Sequence, residues 1–258
     1  MLAINVNSPS AERAERQRLA LISAGADVLV LTEVKKSAGG EALVNGLRAD
    51  GFRVHGWELS FNGFTTLVAT KVPATYVRTG AGRIQSVALE ATPRMSILAA
   101  YGISSDPFGR NSQDKIAEKR KWLRQFADQV RREASATANL LVIGDLNFVD
   151  DRSLPQYRTM YDFERQAYSD MLSTPLTDLL ADSDQVSWAS YKGEGFRYDH
   201  AFSTHTLRAH VVKTELEHQW RTGDERVTDH SAVRVETDLE FTPDHGEQIV
   251  GVEPPTLF

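Results

Sequence analysis

Leu140-Leu141-Val142-Ile143-Gly144-Asp145-Leu146-Asn147 decides how this chain is read. The run Leu140–Gly144 has the length and apolarity of a buried strand. An acid and an amide follow at once, where the chain must leave that strand. The first residues repeat the pattern. In Met1–Asn7, Leu2, Ile4 and Val6 share one face and Ala3, Asn5 and Asn7 the other, which predicts a strand with one buried face. Asp27–Thr32, rich in Val and Leu, predicts a second strand, and Glu33 follows it.

Between these two strands, Ser8–Pro9 reads as a helix start, with Ser capping and Pro in the first turn, and the helix runs to about Ser23 before Gly25. Glu41–Asp50 predicts a short helix stopped by Gly51. Strands follow at about Phe52–Trp57, Phe64–Thr70, Ile84–Ala91 and Met95–Tyr101, with no room for helices between them. Ser112–Arg132 is the strongest helix, because Ile116, Leu123, Phe126, Ala127 and Val130 fall on one stripe. Ala134–Ala138 reads as the loop after it. Leu179 and Leu180 lie in a short helix or turn. Ser187–Ala189, Tyr198–Ser203, Leu207–Lys213 and Ser231–Glu236 read as closing strands. This order predicts an α/β protein with mixed sheets flanked by helices. No Pro/Gly/Ser linker divides the chain, so one domain is expected over residues 1–240, with 241–258 an extended tail.

Composition excludes several classes. Of 258 residues, 41% are hydrophobic and 25% charged, ordinary globular usage rather than disorder, collagen or coiled coil. No stretch approaches the roughly 20 apolar residues of a membrane-spanning helix. The absence of Cys removes disulfide frameworks, thiolate zinc sites and cysteine nucleophiles. With no signal peptide in Met1–Asn7, a cytoplasmic protein is expected. The net charge of −6 is unlike that of a general nucleic-acid binder. An acidic site that holds a cation can still take phosphate through the ion.

The polar residues collect at strand ends, where layered α/β proteins build their sites. They are Asn5, Asn7, Glu33, Tyr101, Asp145, Asn147, Asp199, Asp229 and His230. Carboxylate and amide oxygens without thiolate suit a hard cation, Mg²⁺ or Mn²⁺. A His beside one Asp, with a second Asp to orient its ring, suits a general base or a charge stabiliser. Together they describe metal-assisted attack of water on a phosphate ester. Each element alone has a bland reading: a solvated Glu33, a half-buried Tyr101, a turn at Gly144–Leu146, a surface pair at Asp229–His230. The weight lies in their joint order.

The motifs Asn5-Val6-Asn7, Leu31-Thr32-Glu33-Val34-Lys35, Tyr101, Gly144-Asp145-Leu146-Asn147, Arg197-Tyr198-Asp199 and Thr228-Asp229-His230 resemble those of the endonuclease/exonuclease/phosphatase superfamily of metal-dependent phosphoesterases. The resemblance runs from Asn5 to about Val235. It implies a four-layer α/β sandwich, two mixed β-sheets packed face to face with helices outside. It implies Glu33 as principal metal ligand, with Asn5 and Asp229 near or on the ion. Asp145 and Asn147 would position the attacking water or the scissile phosphate; Asp145 as base or as proton donor stays open. His230 would contact the phosphate and pair with Asp199, and Tyr101 would donate to a phosphate oxygen.

Within the superfamily, the lack of Cys is unlike the pancreatic-type deoxyribonucleases. Phe148-Val149-Asp150 departs from the inositol-polyphosphate phosphatase signature. Ser187-Trp188 and Gly195–Asp199 are similar to the segment that gives exodeoxyribonuclease III-like and abasic-site endonucleases an aromatic wall, here Trp188, Phe196 and Tyr198, with a core role for Trp188 and Phe196 as the alternative. The expected activity is therefore Mg²⁺-dependent hydrolysis of DNA phosphodiesters, of the kind used in DNA repair, by a monomer. Asn7, Lys35, Ser104, Trp188 and Phe196 are expected on the substrate side. Lys36, Arg110 and the basic face of the Lys115–Arg132 helix could touch backbone phosphates, although a solvated face is the plainer reading of that helix. Ile4, Thr32 and Gly102-Ile103-Ser104 depart from the motifs of the DNA-repair members, and Phe148–Ser173 is longer and polar. These departures keep a second substrate class open, a small phosphorylated molecule or lipid headgroup. A catalytically dead binding module is a third reading, against which every core motif residue is present.

Overall fold

The structure is a computed structural model and describes residues 1–59, 63–77, 82–105, 111–149, 161–190 and 195–241. Strands β1 (Leu2–Asn5), β2 (Val28–Lys35), β3 (Arg53–His55), β4 (Phe64–Thr70), β14 (Val211–Glu217) and β15 (Ala232–Thr237) form one sheet, in the order 14-15-1-2-4-3. Strands β5 (Ala74–Val77), β6 (Ile84–Leu89), β8 (Met95–Ala100), β9 (Leu140–Asp145), β10 (Leu176–Asp178) and β13 (Asp199–Thr204) form the other, in the order 10-13-9-8-6-5. Two short pairs stand apart: β7 (Ala91–Thr92) with β16 (Glu240–Phe241), and β11 (Trp188–Ala189) with β12 (Gly195–Phe196).

Strand alternation builds the layers. On the first sheet, Leu2, Ile4, Leu29 and Leu31 pack under helices α1 (Ala11–Ser23) and α2 (Ala38–Ala49). Their neighbours Ala3, Val28 and Val30 face the second sheet and meet Ile97, Ala99, Leu141 and Ile143. The outer face of that sheet, with Leu98, Leu140, Val142 and Phe202, lies under α3 (Gln113–Ala136) and α4 (Asp162–Ser173). The result is the expected four-layer sandwich. Each fully buried Leu or Val in it contributes roughly 1.5–3 kcal/mol.

Both sheets are mixed for the same reason. β1 and β2 run parallel, joined over α1, and β8 and β9 run parallel, joined over α3. Parallel neighbours need such a crossover. β1 and β2 lie across from β9, so the carboxyl ends of the central strands share one rim. A side chain at Gly144 would collide with the Ala100 carbonyl, so β8 and β9 can approach there only because Gly144 has none.

Several elements differ from expectation. α1 is capped by Ser10, not Ser8, because Asn7 and Ser8 first turn the chain with positive φ. α2 begins three residues early, at a Ser37 cap. α3 continues to Ala136, so most of the alanine-rich patch is helix, where Ala is at its best. Residues 205–208 form one helical turn, α5 (His205–Arg208), and the strand begins at Val211. The long polar stretch holds α4 and ends before β10, and β5 is a further edge strand. Phe241, placed in the expected tail, instead pairs with Ala91; Asp150, Asp151, Arg152, Arg110 and residues 242–258 lie outside the described residues. No helix among the described residues is long and apolar enough to cross a membrane.

Candidate active site

β2 does not run straight to the rim. Its register against β4 passes from Leu31–Leu67 to Val34–Thr65, so β2 carries one extra residue. Glu33 sits in this bulge at φ 55°. The Ser8 amide and hydroxyl both donate to the Glu33 carbonyl, at 3.0 and 3.1 Å, and brace it. The Tyr101 hydroxyl donates to Glu33 Oε1. Among the described residues, the non-glycine positions with positive φ are Asn7, Ser8, Glu33 and Asn147, all in segments that build this rim. Such backbone costs roughly 1–3 kcal/mol per residue and persists only where its surroundings hold it.

Asp145 ends β9 and is buried. Its Oδ2 accepts from Asn5 Nδ2 at 2.8 Å and its Oδ1 from the Asn147 amide at 3.1 Å. Asp199 stands directly opposite it in β13. His230 Nδ1 lies 2.7 Å from Asp199 Oδ2, and its Nε2 lies 4.0 Å from Asp145 Oδ2. Burial pushes the Asp145 carboxyl well above the usual carboxylate range, and the Asp199 charge pushes it further. Burial alone would lower His230. The Asp199 carboxylate, then Asp145 and Asp229, outweigh it and raise His230 to about 10.

Asp229 is held at both oxygens: Oδ1 accepts from Asn7 Nδ2 at 2.9 Å and Oδ2 from the Trp188 indole at 3.0 Å. Ser187 Oγ accepts from the amides of Tyr198 and Asp199, each at 3.0 Å, and so fixes the start of β13. Thr228 Oγ1 donates to the Asn5 carbonyl at 2.6 Å, tying the Asp229–His230 segment to β1.

These groups enclose a cavity of about 210 Å³, lined by Asn7, Glu33, Ser104, Ser105, Asp145, Asn147, Trp188, Tyr198, Asp229 and His230. Among the described residues, three carboxylates line it and no Lys or Arg does, a donor set that fits a divalent cation. Asp145, Asp199 and His230 also place one potential ligand atom each within 4.8 Å of the others. Asp199 and His230 Nδ1 are already paired, which leaves Glu33, Asp145 and Asp229 as the carboxylates facing open space. A larger hollow of about 850 Å³, between α1 and the segment around Trp220, is lined by Glu217, Asp224 and Glu225 but also by Arg16 and Arg234, and Glu217 is paired with Arg234.

The sequence-predicted residues Asn5, Asn7, Glu33, Tyr101, Ser104, Asp145, Asn147, Trp188, Asp199, Asp229 and His230 thus come together. Asn5 and Tyr101 do not line the cavity; they orient Asp145 and Glu33 from behind. Phe196 is not an aromatic wall. It is 1% exposed and stacked against Tyr198 at 5.0 Å, and Tyr198 takes the lining position. Lys35 is exposed on the rim with its Nζ 4.2 Å from the centre of the Phe64 ring. Lys36 lies over Trp57. Ser105 lines the cavity without having been foreseen, because a loop Ser carries no periodic signal. On the helix expected to present a basic face, Lys119 turns inward and is buried.

Two stacked six-stranded sheets with an acidic cavity at their common rim define the class: the phosphoesterase-type four-layer α/β sandwich. The chain belongs to the Endonuclease/Exonuclease/phosphatase family, whose model matches residues 2–230. Members of that superfamily are metal-dependent phosphoesterases and nucleases. Among solved structures, the chain is similar to the 3′-5′ exonuclease NExo from Neisseria meningitidis, with TM-score 0.76 and 19% identity over 92% of this chain and 100% of that one. It is also similar to an AP endonuclease from Archaeoglobus fulgidus, with TM-score 0.75 and 18% identity over 92% and 98%. A third likeness is to the AP endonuclease LMAP from Leishmania major, with TM-score 0.70 and 17% identity over 94% and 87%. At these identities the likeness is one of fold. No curated protein sequence gives a match.

Proposed function

We propose that the protein is a Mg²⁺-dependent phosphodiesterase that cleaves DNA, exonuclease III-like or abasic-site endonuclease-like, by one in-line attack of water. The observation that carries this is the gathering of Asn5, Glu33, Tyr101, Asp145, Asn147, Asp199, Asp229 and His230, from distant parts of the chain, around one cavity. The DNA part is supported by the neighbours: NExo was solved with a product DNA hairpin, and others are AP endonucleases.

Glu33 holds the ion, with Asn5 and Asp229 near it; Mn²⁺ has the same oxygen preference and would substitute. Bound there, a divalent ion supplies charge stabilisation to the phosphoryl oxygens. Asp199 fixes the His230 ring through Nδ1, so that Nε2 points to the phosphate and donates to it. The Asn147 side-chain amide positions the phosphate or the water. Asp145, whose burial favours the protonated carboxyl, is suited to passing a proton to the leaving oxygen. Tyr101 orients Glu33 from behind the cavity wall, its one O–H given to Glu33 rather than to the expected phosphate oxygen. Asn7, Ser104 and Trp188 meet the nucleotide, and Lys35 a flanking phosphate. The protein would act as a cytoplasmic monomer.

A second substrate class has its own supporting observation. The cavity is small, no Lys or Arg among the described residues lines it, and the chain carries a net charge of −6. These features favour a small phosphorylated molecule or lipid headgroup. The discriminating experiment offers labelled abasic duplex, plain duplex and single-stranded DNA, with and without EDTA, beside a panel of phosphate monoesters and diesters. EDTA-sensitive DNA cleavage is expected. Turnover of the small esters above DNA would favour the second class, and no turnover of anything would end the enzyme reading.

A further inference from the structure

We propose that Lys119 and Glu164 are positioning residues that hold Asn147 and Ser105 in the cavity wall; the inference rests on the site described above. Lys119 projects from α3 and Glu164 from α4, and the two form an ion pair with side chains 2% and 1% exposed. The ammonium has three N–H donors. One meets Glu164, one reaches Ser105 Oγ at 2.8 Å, and one reaches the Asn147 carbonyl at 2.6 Å. Ser105 in turn donates to Glu164 Oε1 at 3.0 Å, and Glu164 Oε2 accepts the Tyr161 amide at 3.0 Å. Every member of the network is engaged.

Stability does not account for such a pair. Taking two charges out of water costs more than their attraction commonly returns, and apolar residues of similar volume often pack as well or better. What apolar residues cannot supply is an N–H donor to Asn147. That residue has φ 52°, a conformation that must be held from outside. Asp145 holds it at the amide, 3.1 Å away, and Lys119 holds it at the carbonyl. Ser105, the second target of the ammonium, lines the same cavity. The pair therefore ties the α3–α4 layer to two groups of the wall.

The test separates positioning from packing. Lys119→Met alone leaves Glu164 buried and unpaired and should lower the thermal midpoint. The double variant K119M/E164Q is neutral and keeps an acceptor for Tyr161, so its midpoint should return toward wild type. Its kcat should still be lower by about 10- to 100-fold, the range for lost support of a site residue, with KM little changed. A readout independent of turnover is the side-chain amide resonance of Asn147, assigned by its loss in Asn147→Asp. It should shift or broaden in K119M/E164Q while that of Asn45, on the exposed side of α2, stays in place. Recovery of kcat together with the midpoint, or an unmoved Asn147 resonance, overturns the proposal. An inactive wild type would strike the reaction assigned above and leave the resonance to decide this one.

Discussion

His230 Nδ1 lies 2.7 Å from Asp199 Oδ2, and both side chains are buried behind the open face of the cavity. This contact settles which ring nitrogen is left for chemistry. With Nδ1 engaged, only Nε2 faces the space shared with Asp145. Asp199→Asn keeps the size of the side chain but loses the charge that orients and protonates the ring. On whichever phosphoester the wild type cleaves, kcat should fall by about 10²–10⁴, as for loss of an acid–base or charge-stabilising group. A loss confined to KM would contradict the role.

Glu33 should govern metal binding. Titration calorimetry with Mn²⁺ should show affinity at least about tenfold weaker in Glu33→Ala than in wild type, and phosphoesterase activity should be lost with it. Mg²⁺ should also stabilise the wild-type fold, by about 2.7 kcal/mol at one hundred times its dissociation constant, and the variant much less. Unchanged activity in Glu33→Ala would show that the site is wrongly assigned.

Trp188 and Phe196 touch in one aromatic cluster yet should behave differently. Phe196→Ala empties a core position and should cost about 3–5 kcal/mol in denaturant unfolding. Trp188→Ala removes a lining side chain and the donor to Asp229. It should change discrimination between substrates with a smaller loss of stability. Equal destabilisation by both would make Trp188 a packing residue only.

Arg197, two residues before Asp199, should prove structural. It is 1% exposed, and its Nη2 lies 2.8 Å from Asp178 Oδ2. Tyr168 donates to the same Asp178 oxygen at 2.7 Å. Arg197→Met should cost about 3–5 kcal/mol in chemical unfolding, because it leaves Asp178 buried without its partner. A loss of activity with unchanged stability would instead place Arg197 at the substrate.

Much of this site was legible because strands betray themselves by alternation and their ends by polarity. Leu140–Asn147 carried both signals, and Asn5 and Glu33 repeated them. The bulge at Glu33 was not legible, since the sign of φ leaves no mark on a Glu. Ser8 and Ser10 are both acceptable caps, and only the turn around the rim selects the second. Lys119 did leave a trace: it falls between Ile116 and Leu123 on the apolar stripe of α3, where a solvated lysine would not belong. Its partner was hidden in the polar stretch that holds α4. There Phe163, Ala167 and Met171 recur every fourth residue, a helical spacing overshadowed by the charges around it. Phe196 shows the converse limit. An aromatic residue beside a motif reads equally as wall or as core, and only packing shows that it stands one layer behind.

The most direct measurement is anomalous diffraction from crystals grown with Mn²⁺. The account predicts a single strong peak in the cavity, within bonding distance of a Glu33 carboxylate oxygen and on the Asp145–His230 side of the rim. A cavity without metal at saturating Mn²⁺, or a peak bound elsewhere on the molecule, would contradict it.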